Sequence, residues 1–253
     1  MQVSCLTWNI LAPIWVDCKD YKMKNCGILE TKIRREKIIK NICKYDADIV
    51  MLQEVTQREY NLMKKKLPQY KVLPLVPHRK KWAHDESGNK IMANGNCILL
   101  KKGMFDKIKS RKVQLNEDGV MASICECRLG EKRLVVVSMH LDDMKRSVRN
   151  VQLRKMVGTL REKRTEGIIM GGDFNDRIKY VTEKLLTKDG YTSVMQEITP
   201  TYYDTSEYNV DNIYLKRVGL IDTFIPRFKS GKDIIKKIGS DHSMIYTVVS
   251  LKP

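Results

Sequence analysis

Residues 168–176 read IIMGGDFND, an apolar run that stops at two glycines and continues with an acid, an amide and a second acid. A short apolar run bounded by glycines is typical of a buried strand. Asp173 and Asn175 therefore follow the end of a predicted core strand, where a rigid scaffold can hold polar side chains in place. The stretch predicts a functional site at one end of a sheet.

Similar apolar runs recur along the chain and predict a large sheet or two. They are VSCLTW (3–8), DIVMLQ (48–53), NCILLK (96–101), VMASICECRL (120–129), RLVVVSM (133–139), GIIMG (167–171), VDNIYL (210–215) and SMIYTVVSL (243–251). Two segments have helical periodicity and are predicted to cover a sheet. They are TKIRREKIIKNICKY, with Ile33, Ile38, Ile39 and Ile42 as its apolar residues, and SVRNVQLRKMVGTLREKR, with Val148, Val151, Met156, Val157 and Leu160.

Composition limits the class of protein. The chain has 253 residues, 42% of them hydrophobic, and no repeat or linker, so we expect one domain over residues 1–253. The formal net charge of +17 favours polyanionic partners, either nucleic acid or an acidic membrane surface.

The seven cysteines form no CxxC pair, which argues against a disulfide framework or a zinc site. The chain opens on MQVSCLTWNI without a signal peptide, and no apolar run reaches transmembrane length. We therefore expect an intracellular, cytoplasmic or nuclear protein that is not secreted, has no membrane partner and is a monomer.

Polar side chains follow or begin several of the predicted strands. They are Asn9, Glu54, His140, Asp173, Asn175, Asp211, Asp241 and His242. Carboxylate and amide oxygens suit a hard cation such as Mg²⁺, with Mn²⁺ as an alternative. Such an ion beside two histidines and extra acids can promote in-line attack of water on a phosphodiester. The chain has no GxSxG, P-loop or GxGxxG motif, so serine hydrolase, NTPase and Rossmann functions lose their main support.

The stretch PHRKKWAHDESGNK (77–90) places basic residues around Trp82 without periodicity, which predicts a mobile loop. Cations can follow a phosphate backbone while an aromatic ring stacks on unpaired bases, so Trp82 is a candidate contact for single-stranded nucleic acid. The alternative is a basic surface loop with its tryptophan in the core.

Six motifs in order resemble the endonuclease/exonuclease/phosphatase (DNase I-like) superfamily. They are TWNIL (7–11), LQEV (52–55), SMHL (138–141), GGDFND (171–176), VDNIYL (210–215) and SDHSMIY (240–246). The resemblance spans nearly the whole chain. It implies a four-layered α/β sandwich, in which two facing mixed sheets are covered by helices and the site lies at one end.

The resemblance also implies roles for individual residues. Glu54 would be the principal Mg²⁺ ligand with Asn9 beside it, and Asp173 would orient and deprotonate the attacking water. Asn175 would hold the phosphate or the metal. His242, supported by Asp211 or Asp241, would face the scissile phosphate, and His140 would stabilise the developing charge.

Within the superfamily, NGNCILLKKGMF (94–105) and the pattern of TWNIL, RREKIIKNI and DADIVMLQEV are similar to nocturnin-like and other deadenylases. This favours RNA over DNA and implies a 3′–5′ exoribonuclease. The segment TPTYYDTSEYNVD (199–211) departs from the aromatic setting with which that branch stacks adenine, and Tyr202, Tyr203 and Tyr208 are candidate substitutes. The candidate substrate contacts are Trp82, Asn96, Tyr202 and Tyr203.

Other functions remain open on the same residues. An AP endonuclease or a tyrosyl-DNA phosphodiesterase would use the same motifs, and the charge suits duplex DNA equally well. A catalytically inactive nucleic-acid-binding module is a second alternative, although the chain keeps Glu54, Asp173 and His242. A lipid phosphoesterase is disfavoured because no amphipathic anchor or lipidation motif is evident.

Overall fold

The computed structural model describes residues 1–15, 31–78, 82–84, 90–92, 94–117, 119–161, 164–176, 181–195, 199–203 and 207–251. Its strands are β1 (Gln2–Asn9), β2 (Ile49–Val55), β3 (Tyr70–Val72), β4 (Val76–Pro77), β5 (Trp82–His84), β6 (Lys90–Met92), β7 (Gly95–Lys101), β8 (Asp106–Gln114), β9 (Met121–Leu129), β10 (Lys132–His140), β11 (Gly167–Asp173), β12 (Thr192–Ser193), β13 (Tyr202–Tyr203), β14 (Glu207–Tyr208), β15 (Asp211–Lys216), β16 (Val218–Phe224) and β17 (Ile245–Leu251). Its helices are α1 (Thr31–Tyr45), α2 (Gln57–Lys66), α3 (Arg146–Arg161), α4 (Val181–Lys188) and α5 (Gly231–Ile238), with a short 3₁₀ turn at Pro13–Trp15.

Two large sheets contain most of the strands. The first sheet has the order β16-β17-β1-β2-β7-β3, with β4 also paired to β7, and the second has the order β12-β15-β11-β10-β9-β8. Each sheet is mixed, because β1–β2 and β10–β11 are parallel pairs and the other pairs are antiparallel. The two remaining strand pairs, β5–β6 and β13–β14, are short hairpins.

Three hydrophobic clusters show how the layers pack. Alternation along β2 directs Ile49 and Met51 between the sheets and Val50 and Leu52 toward the helices, as expected for a strand covered on both faces. The first sheet packs against α1, α2 and α5, and the second sheet packs against α3 and α4. The order of layers is helices, sheet, sheet, helices, which confirms the predicted four-layered α/β sandwich.

Most of the predicted elements are present, with three kinds of difference. Both predicted helices cover a sheet, but Ile33 and Val151 are exposed rather than packed. The strands β8 and β16 were not predicted because both lie at sheet edges and carry mostly exposed or half-exposed side chains. The supposed loop around Trp82 contains the β5–β6 hairpin, with residues 79–81 and 85–89 outside the described residues.

Two smaller predictions can also be compared with the structure. Cys5, Cys43, Cys97, Cys125 and Cys127 are free thiols, and the remaining two cysteines, at positions 18 and 26, lie outside the described residues. In the described part of the chain, no helix has the length and apolar character needed to cross a membrane.

Two adjacent glycines near the end of β11, Gly171 and Gly172, let neighbouring atoms pack directly against the backbone of this strand. A Cβ on Gly171 would lie 2.7 Å from Cε of Met51, on the facing sheet. A Cβ on Gly172 would lie 2.0 Å from the carbonyl oxygen of Met139, on the neighbouring strand. Met51 is a flexible side chain that can shift, whereas the Met139 backbone cannot, so Gly172 is the stricter requirement.

We predict that Gly172→Ala lowers the free energy of unfolding by at least about 2 kcal/mol, because a methyl group there collides with backbone. The matched control is Gly158→Ala, since Gly158 lies on the exposed face of α3, where an added methyl group would meet no other element within 4 Å. That control should raise stability by about 0.5–1 kcal/mol. Urea unfolding of both variants measures this, and a Gly172→Ala protein as stable as wild type would contradict the packing argument.

Candidate active site

Polar side chains from both sheets meet at one end of the sandwich. Parallel pairing sets His140 of β10 beside Asp173 of β11, and antiparallel pairing sets Asp211 of β15 on the other side of Asp173. On the first sheet, Asn9 ends β1 beside Gln53 of β2. The ends of these strands therefore bring the polar residues named from the sequence to one end of the sandwich.

A β-bulge aims Glu54 into the site. The pairing of β2 with β7 shifts register between Leu52 and Val55, and Glu54 has a left-handed backbone with φ of 58°. Alternation places Gln53 between the sheets, in phase with Met51, and its Nε2 donates to Ser138 Oγ at 2.9 Å. The bulge turns Glu54 out of this alternation, and its carboxylate accepts from the Ala12 amide at 2.7 Å. A bulge commonly re-aims one side chain in this way at a functional site.

Asp173 is the common neighbour of the other site residues. Its Oδ2 accepts from Asn9 Nδ2 at 3.0 Å and lies 3.6 Å from Nε2 of His140 and 3.8 Å from Nε2 of His242. Its Oδ1 accepts from the Asn175 amide at 2.9 Å. The carboxylate is thus fixed on one oxygen by backbone and directs the other toward both histidines.

A buried carboxylate contacts His242 and fixes its ring. Its Nδ1 lies 2.8 Å from Oδ2 of Asp211, while Asp241 Oδ1 is 4.0 Å from its Nε2. Burial lowers the pKa of His242, but Asp211, followed by Asp241 and Asp173, outweighs burial and holds the pKa well above its ordinary value. Asp211 is therefore the supporting acid of the two that the sequence left open.

The backbone around His242 is tied to the core of the first sheet. The fully buried Trp8 donates its indole Nε1–H to the carbonyl oxygen of His242 at 2.8 Å. Tyr202 forms an isolated bridge with His242, and the two rings lie 4.8 Å apart. The histidine is fixed from both sides.

His78 is a site neighbour that the sequence analysis missed. Its ring stacks on His140 at 4.3 Å between centroids, with 22° between the planes, and it is buried. It follows β4 inside the stretch PHRKKWAH, where the basic residues and Trp82 are the more conspicuous features. The sequence around His78 gives no signal of this role, because His78 contacts His140 across the two sheets and the two residues are far apart in the chain.

The remaining predicted site residues differ in their placement. Asn175 lies just past β11 with φ of 49°, and its side-chain amide donates to the Leu141 carbonyl. Asn96 is fully buried and donates to the Met121 carbonyl, so it supports the scaffold and has no exposed surface for a substrate. Trp82 is described only as part of β5, and its side chain lies outside the described residues.

The tyrosines of the β13–β14 hairpin divide into two kinds. Tyr203 is buried against α5 and packs edge-on to Phe228, which contradicts its predicted substrate contact. Tyr202 and Tyr208 are partly exposed, with nearly parallel rings 6.4 Å apart, and the Tyr202 ring lies beside His242. Alternation along β13 explains the difference, because successive side chains point to opposite faces.

The charges of the site suit a divalent cation. Among the described residues, no lysine or arginine forms an ion pair with Glu54 or Asp173, although both are buried. Burial raises the pKa of Glu54, against the opposing effects of His140 and the hydrogen bonds from Ala12 and Asn9. A hard cation would stabilise the ionised carboxylate that burial disfavours at Glu54.

Two overlapping groups could hold the ion. The first group is Asn9, Glu54 and Asp173, the three predicted ligands. Asn9 Nδ2 donates to Glu54 Oε1 at 3.1 Å and to Asp173 Oδ2 at 3.0 Å, so the three side chains are in contact. In the other, Asp173, Asp211 and His242 offer ligand atoms that all lie within 4.8 Å of one another. The first group fits a hard cation better, because it offers carboxylate and amide oxygens whereas the second includes an imidazole nitrogen.

Comparisons with known proteins agree with this fold. The profile of the Endonuclease/Exonuclease/phosphatase family matches residues 6–242. No curated protein matches the chain in sequence.

Solved structures are similar over the whole chain. An endonuclease/exonuclease/phosphatase from Bacteroides vulgatus matches 100% of both chains with a TM-score of 0.78 and 17% identity. ANGEL2, a 2′,3′-cyclic phosphatase, matches 98% of this chain and 95% of its own with a TM-score of 0.79 and 15% identity. A humanized TDP2 from D. rerio matches 98% and 99%, with a TM-score of 0.71 and 17% identity. At these identities the similarity establishes the fold.

We predict that Mg²⁺ or Mn²⁺ raises the melting temperature, by roughly 5–10 °C at about 100 times the dissociation constant. Glu54→Gln should lose most of this shift. Without metal it should melt no lower than wild type, because it removes a buried carboxylate that has no cationic partner. Thermal denaturation with EDTA or with the ion measures both effects.

The matched control is Glu59→Gln. Glu59 is also buried, but it lies outside the site and forms an ion pair of 2.7 Å with Arg35. This variant should melt lower than wild type under both conditions and keep the metal shift. Equal metal shifts in wild type and Glu54→Gln would contradict the assignment of Glu54.

Proposed function

Because the chain belongs to the endonuclease/exonuclease/phosphatase family, we propose that it is a divalent-metal-dependent hydrolase of phosphodiester bonds in nucleic acid. RNA is the preferred substrate, and nucleotides are removed from its 3′ end, as in a 3′–5′ exoribonuclease of deadenylase type. The observation that carries the proposal is the contact set of Asp173, whose Oδ2 faces Asn9, His140 and His242.

The side chains divide the work of hydrolysis. A water held by Asp173 gives its proton to that carboxylate, and its oxygen bonds to phosphorus in line with the leaving group. The bond from phosphorus to the ribose 3′-oxygen breaks, and that oxygen takes a proton from solvent. His242, as imidazolium, donates to a non-bridging phosphate oxygen, and His140 stabilises the charge that develops there.

The metal contributes at the same phosphate. Glu54, Asn9 and Asp173 would hold Mg²⁺, which neutralises phosphate charge and stabilises the leaving oxygen when bound. Asn175 would orient the phosphate through its side-chain oxygen, since its nitrogen is committed to Leu141.

Two observations support a single-stranded RNA substrate. The net charge of +17 supplies attraction to a phosphate backbone. The partly exposed ring of Tyr202 lies next to His242, with the Tyr208 ring parallel to it on the neighbouring strand, and an unpaired base could stack there. Similar proteins widen the candidate list, since ANGEL2 is named a 2′,3′-cyclic phosphatase and a TDP2 structure holds a single-stranded DNA product.

We infer that residues 1–253 act as one catalytic domain, because both sheets contribute site residues. We further infer that this domain works as a monomer inside the cell, where RNA is found.

A cleavage assay in Mg²⁺ tests the proposal. The substrates are A-tailed RNA, mixed-sequence RNA, RNA ending in a 2′,3′-cyclic phosphate, single-stranded DNA, 5′-tyrosyl DNA and an abasic duplex. We expect stepwise shortening of RNA from the 3′ end, abolished by EDTA and reduced about 100- to 10,000-fold by Asp173→Asn. Asp222→Asn, an exposed acid on β16 of the first sheet, is the control and should leave the rate unchanged.

Each other outcome identifies a different function. Incision of only the abasic duplex or the 5′-tyrosyl DNA would replace RNA hydrolysis by DNA repair. Binding without turnover on every substrate would favour the inactive binding module.

The pH dependence of kcat/KM tests the role of His242. The site requires the protonated ring, and its raised pKa keeps that form at higher pH than an ordinary histidine. Asp211→Asn removes the charge that contributes most to raising this pKa, so the alkaline limb of the profile should move to lower pH. The exposed control Asp222→Asn should leave the limb in place, and an unmoved limb in Asp211→Asn would contradict the role of the pair.

A further inference from the structure

A basic pocket lies at the opposite end of the second sheet from the candidate active site. It has a volume of about 230 Å³, and its charged lining residues are Lys107, Lys109, Glu126, Arg128, Arg133 and Arg164. Arg133 and His140 stand on the same strand, β10, seven positions apart. At the rise of a β-strand this separates the pocket from the site by roughly 24 Å.

The positive charge of this pocket is poorly compensated. Arg133 pairs with Glu166 at 3.6 Å. Glu126, the acid in the lining, lies 3.5 Å from Arg111. Within the described structure, the other four cations of the pocket take part in no ion pair. An anion bound there would meet several unneutralised donors.

Two of the arginines stand directly opposite each other. The antiparallel register of β9 and β10 pairs Arg128 with Arg133, so both side chains leave the same face of the sheet. Like charges in this arrangement destabilise a sheet unless something lies between them.

Edge protection explains only part of the pattern. Strand β8 is the edge of the second sheet, and its exposed lysines, with a bulge that sets Lys107 at φ of 45°, are typical of an edge that resists pairing with another chain. Arg128 and Arg133 lie on the interior strands β9 and β10, which have no free edge to protect. Their juxtaposition needs another cause.

We propose that the basic pocket binds a backbone phosphate of single-stranded nucleic acid, as a second contact remote from the active site. The choice of nucleic acid as the ligand rests on the proposed function, whereas the anion site rests on the pocket itself. The pocket would hold the part of a long strand that does not occupy the active site, which favours long substrates over short ones.

Binding of a fluorescent oligouridylate tests the proposal by anisotropy in EDTA, where no turnover occurs. The strand has about 20 nucleotides, longer than the roughly 4–16 that one single-strand-binding fold covers. The test variant is Arg128→Gln/Arg133→Gln. The control is Lys65→Gln/Lys66→Gln, which removes the same charge from exposed positions on α2, over the other sheet.

We expect the arginine variant to bind at least several-fold more weakly and the slope of log K against log salt to fall by about 0.7–1.4, the value for one to two phosphates on a single strand. The lysine control should change the affinity less than twofold. Equal losses in both variants would assign the effect to net charge alone and overturn the pocket, as would no loss in either.

Two further measurements show whether the arginine variants are folded and which kind of phosphate the pocket binds. Inorganic pyrophosphate should raise the melting temperature of wild type but not of the arginine variant, or of Arg133→Gln alone if the double variant unfolds. At low salt without pyrophosphate the arginine variants should melt no lower than wild type, because like-charge repulsion is removed. Arginine-dependent binding to phosphatidylserine vesicles, with oligouridylate binding unchanged, would overturn nucleic acid as the ligand.

The two proposals fail separately. Hydrolysis of bis(p-nitrophenyl) phosphate should be unchanged in the arginine variant, since the pocket is remote from Asp173. Arginine-dependent binding without cleavage of any nucleic acid would retain the pocket and reject the proposed hydrolase. Cleavage with arginine-independent binding would do the reverse.

Discussion

The close approach of two sheets at one end of the sandwich is the constraint on which the site depends. Asn9 on the first sheet donates from one amide nitrogen to Glu54 beside it and to Asp173 on the facing sheet. That bridge forms only if the sheets are near, and the missing side chain of Gly171 leaves room for Met51 between them. A second buried link between the sheets, from Gln53 to Ser138, fixes the same spacing. The close approach of the sheets therefore brings the polar side chains of the candidate site together.

The cost of the site is electrostatic and conformational. Carboxylates are buried without lysine or arginine partners among the described residues, and Leu11, Glu54 and Asn175 adopt the left-handed backbone that glycine usually occupies. Strained residues at one location are typical of sites that the surrounding structure over-determines. Arg34 contributes to this support, because its buried guanidinium donates to the carbonyls of Leu11 and Gly239. The large hydrophobic core of the four layers offsets the free-energy cost of this buried charge and backbone strain.

Most of the architecture and the principal polar cluster could be predicted from the sequence. Buried strands such as β10 and β11 are apolar on both faces, and the six ordered motifs identified the fold through resemblance. What failed depends on contacts between distant segments. His78 stacks on His140 from another sheet, and the bulge that aims Glu54 depends on the register with β7. Tyr202 and Tyr203 are adjacent in sequence, and the sequence does not show which of the two faces the core. The structure buries Tyr203, so its predicted substrate contact is wrong. The edge strand β8 has no alternating pattern of apolar residues, because most of its side chains are exposed to solvent, and so the sequence did not predict it.

The hydrogen bond from Trp8 to the carbonyl of His242 gives the molecule an intrinsic optical probe. Indole emission responds to the polarity and hydrogen bonding around its ring nitrogen, and Trp8 has no exposed surface. Its emission therefore reports on the backbone of the loop that carries His242, whereas the half-exposed Trp15 responds to solvent. Movement of that loop during a reaction cycle could be followed from inside the protein, without an attached dye.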